Sequence, residues 1–229
     1  MRLSLLPVLL FSVLAALSAQ DRAQAAPEKV LIIGDSMMMV TSHATQLALE
    51  RRGGVETRAE PSLGSGLARL DALDWMKKAR DLVKDFDPDV SMVWFGTNDY
   101  QPMQTSQGVL RPEDPRWLKE YSRRVGEMMD ILAHKEGAKV YWLELPVMRD
   151  PDINVYVKKI NDIAKKEAEK REGVLFFETN KLLTRKPDTF TVYLMDGNGR
   201  PVKVREPDGV HLGRPGADIV AKAFVKELF

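Results

Sequence analysis

The sequence predicts an α/β fold, a three-layer sandwich in which helices cover both faces of a central, mainly parallel, five-stranded sheet. Two observations predict it. Short, continuous apolar segments bounded by glycine or proline alternate with longer segments whose apolar residues recur at helical spacing. No internal repeat and no linker interrupts this alternation, so we expect a single domain.

The first half of the pattern begins with residues 29–34, a continuous apolar run that ends in glycine, as buried parallel strands often do. The helix predicted over 37–52 ends at a Gly-Gly pair. A second strand over 55–60 precedes a helix over 70–86, whose apolar residues form one face. The third strand, 90–96, follows a proline.

The second half continues in the same way. A segment rich in Pro, Gln and Gly at 99–115 predicts a loop, and the long helix over 117–136 ends at a glycine. The fourth strand, 139–145, stops at a proline. A helix over 154–171 has a charged, solvated face, and the fifth strand, 174–177, follows a glycine.

The alternation changes after the fifth strand. Two short β-type segments within about 190–205 flank Asp196-Gly197-Asn198-Gly199, a strong turn sequence, and therefore predict a β-hairpin. The last predicted helix covers 215–228.

The N-terminal residues have the composition of a targeting segment. Arg2 precedes a charge-free run that ends at Ala19, and Ala23-Gln24-Ala25 has the small-x-small pattern of a cleavage site. We therefore predict a secretory signal peptide over 1–25 and a single domain over 26–229, in a periplasmic or secreted protein. An uncleaved membrane anchor is the alternative, but this apolar run is at the short limit for spanning a bilayer, and the small-residue site favours cleavage.

Charge and composition exclude several classes of function. The net charge of +1 provides no electrostatic footprint for nucleic acid. The absence of cysteine excludes a disulfide scaffold, a thiolate metal site and a cysteine nucleophile. With only three scattered histidines and no HExxH motif, we predict neither a metal nor a cofactor.

Chemistry-bearing residues concentrate in three loops at predicted strand ends, where parallel α/β sheets place their active sites. Gly34-Asp35-Ser36 puts a serine at a helix N-terminus, where free N–H groups favour developing negative charge. Gly96-Thr97-Asn98-Asp99 offers an amide donor, and Asp208-Gly209-Val210-His211 pairs a histidine with a carboxylate that can orient it. Taken singly, the first is better explained as a helix N-cap and the second as a turn.

In this order the three motifs resemble those of the SGNH (GDSL-type) serine hydrolases, and the resemblance covers 29–229. The segments 95–101, 142–149 and 204–211 resemble an exported bacterial branch of these proteins, which is classed as a domain of unknown function. The resemblance implies that Ser36 is the nucleophile, His211 the general base and Asp208 the residue that orients it. It also implies an oxyanion hole formed by the Ser36 N–H, the Asn98 side chain and the N–H of a glycine after the second strand.

Two glycines follow the second strand, so the third oxyanion donor has alternatives. We favour Gly64, because Gly66 lies close to the predicted helix start. The Ser65 N–H also remains open, since a backbone donor does not require glycine.

Three further residues near these loops are predicted to bind substrate, namely Asp35, Gln101 and Arg205. For Arg205 the alternative is an ordinary surface ion pair with Glu206.

The resemblance implies an exported serine esterase that hydrolyses a carboxylic ester, with a short acetyl group as the expected acyl group. Envelope polysaccharide or peptidoglycan is the expected carrier of this acyl group, so the expected partner is a small ester or an acylated glycan. We expect no nucleic-acid partner, and no integral membrane segment after signal cleavage. Transfer of the acyl group to a sugar hydroxyl by the same residues is an alternative. A non-catalytic glycan-binding or polysaccharide-assembly protein on the same scaffold is another.

Overall fold

The computed structural model describes residues 29–229, which form nine strands and six helices in alternation. In chain order the elements are β1 (Lys29–Gly34), α1 (Ser36–Arg52), β2 (Glu56–Pro61), α2 (Trp75–Phe86), β3 (Val90–Trp94), β4 (Met103–Thr105), β5 (Gly108–Leu110), α3 (Pro115–Leu132), β6 (Lys139–Leu143), α4 (Pro151–Ala168), β7 (Val174–Phe177), α5 (Asn180–Leu183), β8 (Tyr193–Met195), β9 (Pro201–Lys203) and α6 (Arg214–Leu228).

Five of these strands form one parallel sheet in the order β2-β1-β3-β6-β7. Helices α1 and α6 pack against each other, whereas α2, α3 and α4 form a second contiguous group. Because parallel crossovers are right-handed, these two groups cover opposite faces of the sheet. The predicted α/β/α sandwich with a five-stranded sheet is confirmed.

The core lies on both faces of the two central strands. Every residue of β3 is buried, and β1 is buried from its second residue onward. All four tryptophans of the described chain are buried, and the Trp75 ring meets Phe95 edge-on with ring centroids 4.8 Å apart. The carboxyl end of strand β1 is therefore held in place by the buried core.

Several element boundaries differ from the prediction. Helix α2 begins at Trp75 rather than at residue 70, because the Asp74 side chain accepts a hydrogen bond from the Lys77 N–H at 2.9 Å and caps the helix there. Helix α3 ends at Leu132, where the N–H of Ala133 closes the last turn. The segment predicted as a loop at 99–115 contains the antiparallel pair β4–β5, and the short helix α5 was not predicted.

The hairpin predicted near 190–205 is present as β8–β9. Its turn is held by Asp196, whose carboxylate accepts hydrogen bonds from the N–H groups of Asn198 and Arg200, each at 2.8 Å.

The signal peptide predicted over 1–25 lies outside the described residues. Among helices at 29–229, none combines the length and apolar character needed to cross a membrane.

Candidate active site

Ser36 is the first residue of α1 and follows the buried strand β1 directly. The backbone of Gly34, two residues before Ser36, packs closely against β3: a Cβ at Gly34 would lie 2.3 Å from the carbonyl oxygen of Trp94. Only glycine fits between β1 and β3 here. Ser36 is half-buried at a helix N-terminus, where unpaired N–H groups favour negative charge.

His211 joins Ser36 to Asp208 in a continuous chain of hydrogen bonds. The His211 Nε2 lies 2.8 Å from the Ser36 Oγ, and its Nδ1 lies 2.7 Å from the Asp208 Oδ2. This arrangement can move a proton from the hydroxyl to the imidazole while the carboxylate fixes the ring. The structure thus brings together the three residues predicted to form the catalytic triad.

The segment that carries Asp208 and His211 is a short closed loop. Arg205 and Leu212 pair as an isolated antiparallel bridge, and the Glu206 N–H donates to the His211 carbonyl at 2.9 Å. Gly209 stands in the left-handed region with φ = 80°, which favours glycine at this point. Asp208 and His211 are thereby held on the same side of the turn at Gly209.

Asp208 is anchored through its second oxygen. The Oδ1 atom accepts hydrogen bonds from the Val210 N–H at 2.8 Å and the His211 N–H at 3.0 Å. Partial burial works against ionisation, but the hydrogen bonds from the His211 ring and these two N–H groups outweigh it and lower the pKa of Asp208 to about 2. The carboxylate is therefore an anion throughout the neutral range.

Asn98 lies half-buried beside the loop that follows β2. Its Nδ2 donates to the Ser65 carbonyl at 3.0 Å, which leaves the other amide hydrogen for a second acceptor. The Gln101 side chain donates to the Asn98 carbonyl, and the Trp117 indole N–H donates to the Gln101 carbonyl at 2.8 Å. Gln101 thus holds the Asn98 loop, and its contact with substrate stays a prediction.

The two candidate glycines differ in their surroundings. Gly64 is exposed with φ = 64°, and a Cβ added to it would meet no heavy atom within 4 Å. Gly66 is buried, and a Cβ there would lie 2.1 Å from the Asp99 Oδ1. The assignment of the third oxyanion donor to Gly64 stays a prediction, with Ser65 as its alternative.

The prediction that Asp35 binds substrate needs correction, because this residue is fully buried. Its Oδ1 accepts from the Met37 N–H at 2.9 Å, and its Oδ2 accepts from the N–H groups of Gly96 and Thr97 and from the Thr97 hydroxyl. Burial is the main cause that raises the pKa of Asp35, to about 6, against the opposing effect of these hydrogen bonds. Asp35 caps α1 and ties it to the Asn98 loop.

Asp99 makes the equivalent connection between the Asn98 loop and the loop after β2. It is fully buried, and it accepts from the Ala68 N–H at 2.9 Å and the Tyr121 hydroxyl at 2.7 Å. Burial raises the pKa of Asp99 despite these hydrogen bonds. Two buried carboxylates therefore join the three loops that carry Ser36, Asn98 and Gly64.

The prediction that Arg205 binds substrate also needs correction, because its side chain is 1% exposed. Nor does Arg205 form the alternative surface ion pair with Glu206. Its guanidinium contacts the main chain of the loop that carries Asp208 and His211. A substrate cannot reach a side chain so enclosed.

Sequence reasoning missed Arg124, which braces the loop after β2. Its guanidinium donates to the carbonyls of Leu67 at 2.8 Å, Ala68 at 2.9 Å and Gln104 at 2.7 Å. No local signal separates it from its neighbour Arg123, whose side chain is 58% exposed. The difference depends on which way each side chain projects from α3.

No group of three or more His, Asp or Glu residues suited to a metal ion occurs within 29–229.

Residues 29–227 match the model of a family described as "Protein of unknown function (DUF459)". No curated protein matches the chain by sequence.

Solved structures of similar fold include a protein from Bacteroides ovatus ATCC 8483 that is described as a GDSL-like lipase. It has a TM-score of 0.56 and 15% identity, with coverage of 88% of this chain and 53% of that one, so this chain spans about half of its length. The psychrotrophic esterase EstA from Pseudoalteromonas sp. has a TM-score of 0.54 and 14% identity, with coverage of 88% and 98%.

The catalytic domain of peptidoglycan O-acetyltransferase A from Streptococcus pneumoniae is also similar, with a TM-score of 0.53, 17% identity, and coverage of 88% of this chain and 92% of that one. At these identities the three likenesses show a shared fold alone.

Proposed function

This chain belongs to the DUF459 family and has the fold of the SGNH hydrolases, and we propose that it is a serine esterase acting through Ser36, His211 and Asp208. The observation that carries the proposal is the chain of hydrogen bonds from the Ser36 Oγ through both nitrogens of His211 to Asp208, at 2.8 and 2.7 Å. A serine hydroxyl is a weak nucleophile unless a positioned base removes its proton.

The first half of the reaction forms an acyl-enzyme. His211 takes the proton of Ser36 as the Oγ attacks the ester carbonyl carbon, and Asp208 stabilises the imidazolium. The Ser36 N–H, the free amide hydrogen of Asn98 and the Gly64 N–H donate to the resulting oxyanion. The tetrahedral intermediate then expels the alcohol, which takes its proton from His211.

The second half regenerates the serine. His211 takes a proton from water, whose oxygen attacks the acyl carbon. Collapse of the second tetrahedral intermediate releases the carboxylic acid, and His211 returns the proton to the Ser36 Oγ.

The exposure of the acid–base pair supports a substrate with a large alcohol portion. The side chains of His211 and Asp208 are 37% and 49% exposed, so a bulky alcohol portion can approach them from solvent. We propose an acetyl ester of an envelope polysaccharide or peptidoglycan as the substrate. This choice also rests on the signal peptide proposed for residues 1–25, which would export the protein to the periplasm or the medium.

Acyl transfer to a sugar hydroxyl is the second candidate. The same exposure admits a hydroxyl in place of water, and one protein of the same fold is a peptidoglycan O-acetyltransferase. Adding a soluble oligosaccharide acceptor to the acetyl-enzyme and comparing acetylated sugar with free acetate distinguishes the two reactions.

The deciding experiment is active-site titration of the protein beginning near Ala26 with a fluorophosphonate probe and p-nitrophenyl acetate. We expect one label per chain at Ser36, and turnover near background in Ser36→Ala and His211→Ala. Matched controls are Ser42→Ala, on the same helix, and His43→Ala, which is exposed. A folded protein that neither labels nor turns over ester would refute the esterase proposal in favour of non-catalytic glycan binding.

A further inference from the structure

Arg205 is a buried cation for which the reaction described above has no use. It is 1% exposed, and no carboxylate of the described chain lies within 4.0 Å of its guanidinium. The other buried arginine, Arg124, pairs with Glu120 at 2.8 Å. Burying an unpaired charge is costly, so the polar groups that do surround Arg205 must compensate for it.

Those groups belong mainly to the loop that carries the acid–base pair. The Arg205 Nη2 lies 3.0 Å from the Val210 carbonyl oxygen, 3.4 Å from the Gly209 carbonyl oxygen and 3.3 Å from the Met148 sulfur. Its guanidinium carbon lies 4.9 Å from the centre of the Phe190 ring, a cation–π contact. The Nε atom has no hydrogen-bond partner within the described residues.

The two carbonyl groups that face Arg205 belong to the same peptide units whose N–H groups face Asp208. The peptide joining Gly209 to Val210 accepts from Arg205 through its oxygen and donates to the Asp208 Oδ1 through its nitrogen. The peptide joining Val210 to His211 does the same. Two peptide dipoles therefore lie head to tail between a cation and an anion.

This arrangement has an electrostatic consequence. A cation at the carbonyl end polarises each peptide and strengthens the hydrogen bond that its N–H donates to the carboxylate. Burial lowers the pKa of Arg205 to about 10, against the attraction of Asp208 and with a further contribution from Arg149, so the side chain stays charged at neutral pH. The Oδ1 atom of Asp208 is thereby fixed, which leaves Oδ2 aimed at the His211 ring.

We propose that Arg205 is a positioning residue that acts through these two peptide groups to hold Asp208 in the orientation that its hydrogen bond to His211 requires. The inference rests on the proposed function insofar as it concerns rate, but the orientation itself can be measured without turnover.

The test uses the proton NMR resonance of the His211 Nδ1–H. A short hydrogen bond to a carboxylate moves such a resonance far downfield, and its absence from Asp208→Asn would assign it. In folded Arg205→Met we expect this resonance to be lost or moved upfield. With p-nitrophenyl acetate we expect kcat to fall about 10- to 100-fold while KM stays within about twofold, as misplacement of a catalytic group does.

The matched control is Arg124→Met, which makes the same change at the other buried arginine. Arg124 holds the loop after β2, and none of the hydrogen bonds that the described residues give it reaches the loop carrying Asp208. We expect its kcat to fall while the downfield resonance keeps its wild-type position. Arg205→Lys keeps the charge but replaces the planar guanidinium, whose Nη2 lies near both carbonyls, by an ammonium group on a stem of different shape, and we expect intermediate values.

A wild-type resonance and kcat in folded Arg205→Met would overturn the proposal, as would the absence of the resonance from the wild-type protein. If Arg205→Met does not fold, Arg205→Lys decides: a shifted resonance with a lowered kcat supports the proposal, and wild-type values overturn it. A wild-type protein that has the resonance but neither labels at Ser36 nor hydrolyses ester would refute the esterase proposal alone, and the NMR comparison would still test Arg205.

Discussion

Thr97 donates two hydrogen bonds to the Asp35 Oδ2, one from its N–H at 3.1 Å and one from its hydroxyl at 2.8 Å. This contact joins the turn before the proposed nucleophile to the loop of the proposed oxyanion donor. Burial raises the pKa of Asp35 to about 6 and so makes the stability of the fold depend on pH, and the two Thr97 hydrogen bonds oppose this rise.

Thr97→Val should destabilise the protein more at pH 7.5 than at pH 5. The folded-state pKa of Asp35, about 6, exceeds its ordinary value of 3.8, so the stability that Asp35 contributes is complete below pH 3.8 and is lost as pH rises through about 6. The Thr97 hydroxyl offsets part of that loss by bonding the charged form. We expect a penalty of about 1–3 kcal/mol at pH 7.5 and a smaller one at pH 5, from urea unfolding.

Thr57→Val is the matched control for that measurement, because the Thr57 hydroxyl accepts from the neutral Gln46 amide. Its penalty should be the same at both pH values. Equal penalties at both values for Thr97→Val would contradict the proposed coupling to Asp35.

Asp208→Asn should lower kcat on p-nitrophenyl acetate by about 10²–10⁴-fold, since an amide no longer holds the His211 tautomer and no longer stabilises the imidazolium. The nearby Glu206→Gln is the control, as its side chain is exposed and makes no ion pair within the described residues. Wild-type kcat in a folded Asp208→Asn protein would remove Asp208 from the mechanism.

Asn98→Ala should lower kcat by about 10²–10³-fold with little change in KM, the usual result of removing one oxyanion donor. Asn98→Asp should be at least as slow, because it places a carboxylate where negative charge develops. The exposed turn residue in Asn198→Ala serves as the control. Loss confined to KM would indicate ground-state binding instead.

Gly66→Ala and Gly64→Ala should have different effects. A Cβ at Gly66 would meet the Asp99 carboxylate at 2.1 Å, so we expect a lower Tm together with lost activity. Gly64→Ala meets no atom within 4 Å and keeps its N–H, so strain at φ = 64° should cost about 1–2 kcal/mol while kcat changes little. Thermal unfolding and ester turnover of both variants check this, and an unaffected Gly66→Ala protein would contradict it.

The fold was largely predictable because its central strands are continuous apolar runs between glycines and prolines. Strand β1 has the boundaries predicted for 29–34, and β7 those predicted for 174–177. The pair β4–β5 escaped prediction because each strand has three residues, too few for an alternating pattern to emerge.

The site was predictable where its chemistry is local in sequence. The Asp208–His211 pair lies within a single turn, and Ser36 directly follows a strand. Burial of individual polar side chains was not predictable: Asp35 and Arg205 look like surface residues in the sequence. Asp35 bonds Thr97, 62 residues away, in a loop that only the folded sheet brings near it. Arg205 bonds Gly209 and Val210 of its own loop, and the Met148 sulfur lies 57 residues away in sequence.

The hydrogen bond between Ser36 and His211 connects positions 175 residues apart. The nucleophile and the proposed oxyanion donors all precede β4, whereas the base comes from the segment just before α6, which packs against α1. Closing so long a loop is entropically costly. If the pair acts as proposed, a copy cleaved ahead of residue 205 would retain its serine and its oxyanion donors but would be inert toward esters. Hydrolytic competence would then report that Ser36 and His211 are still joined by an intact fold.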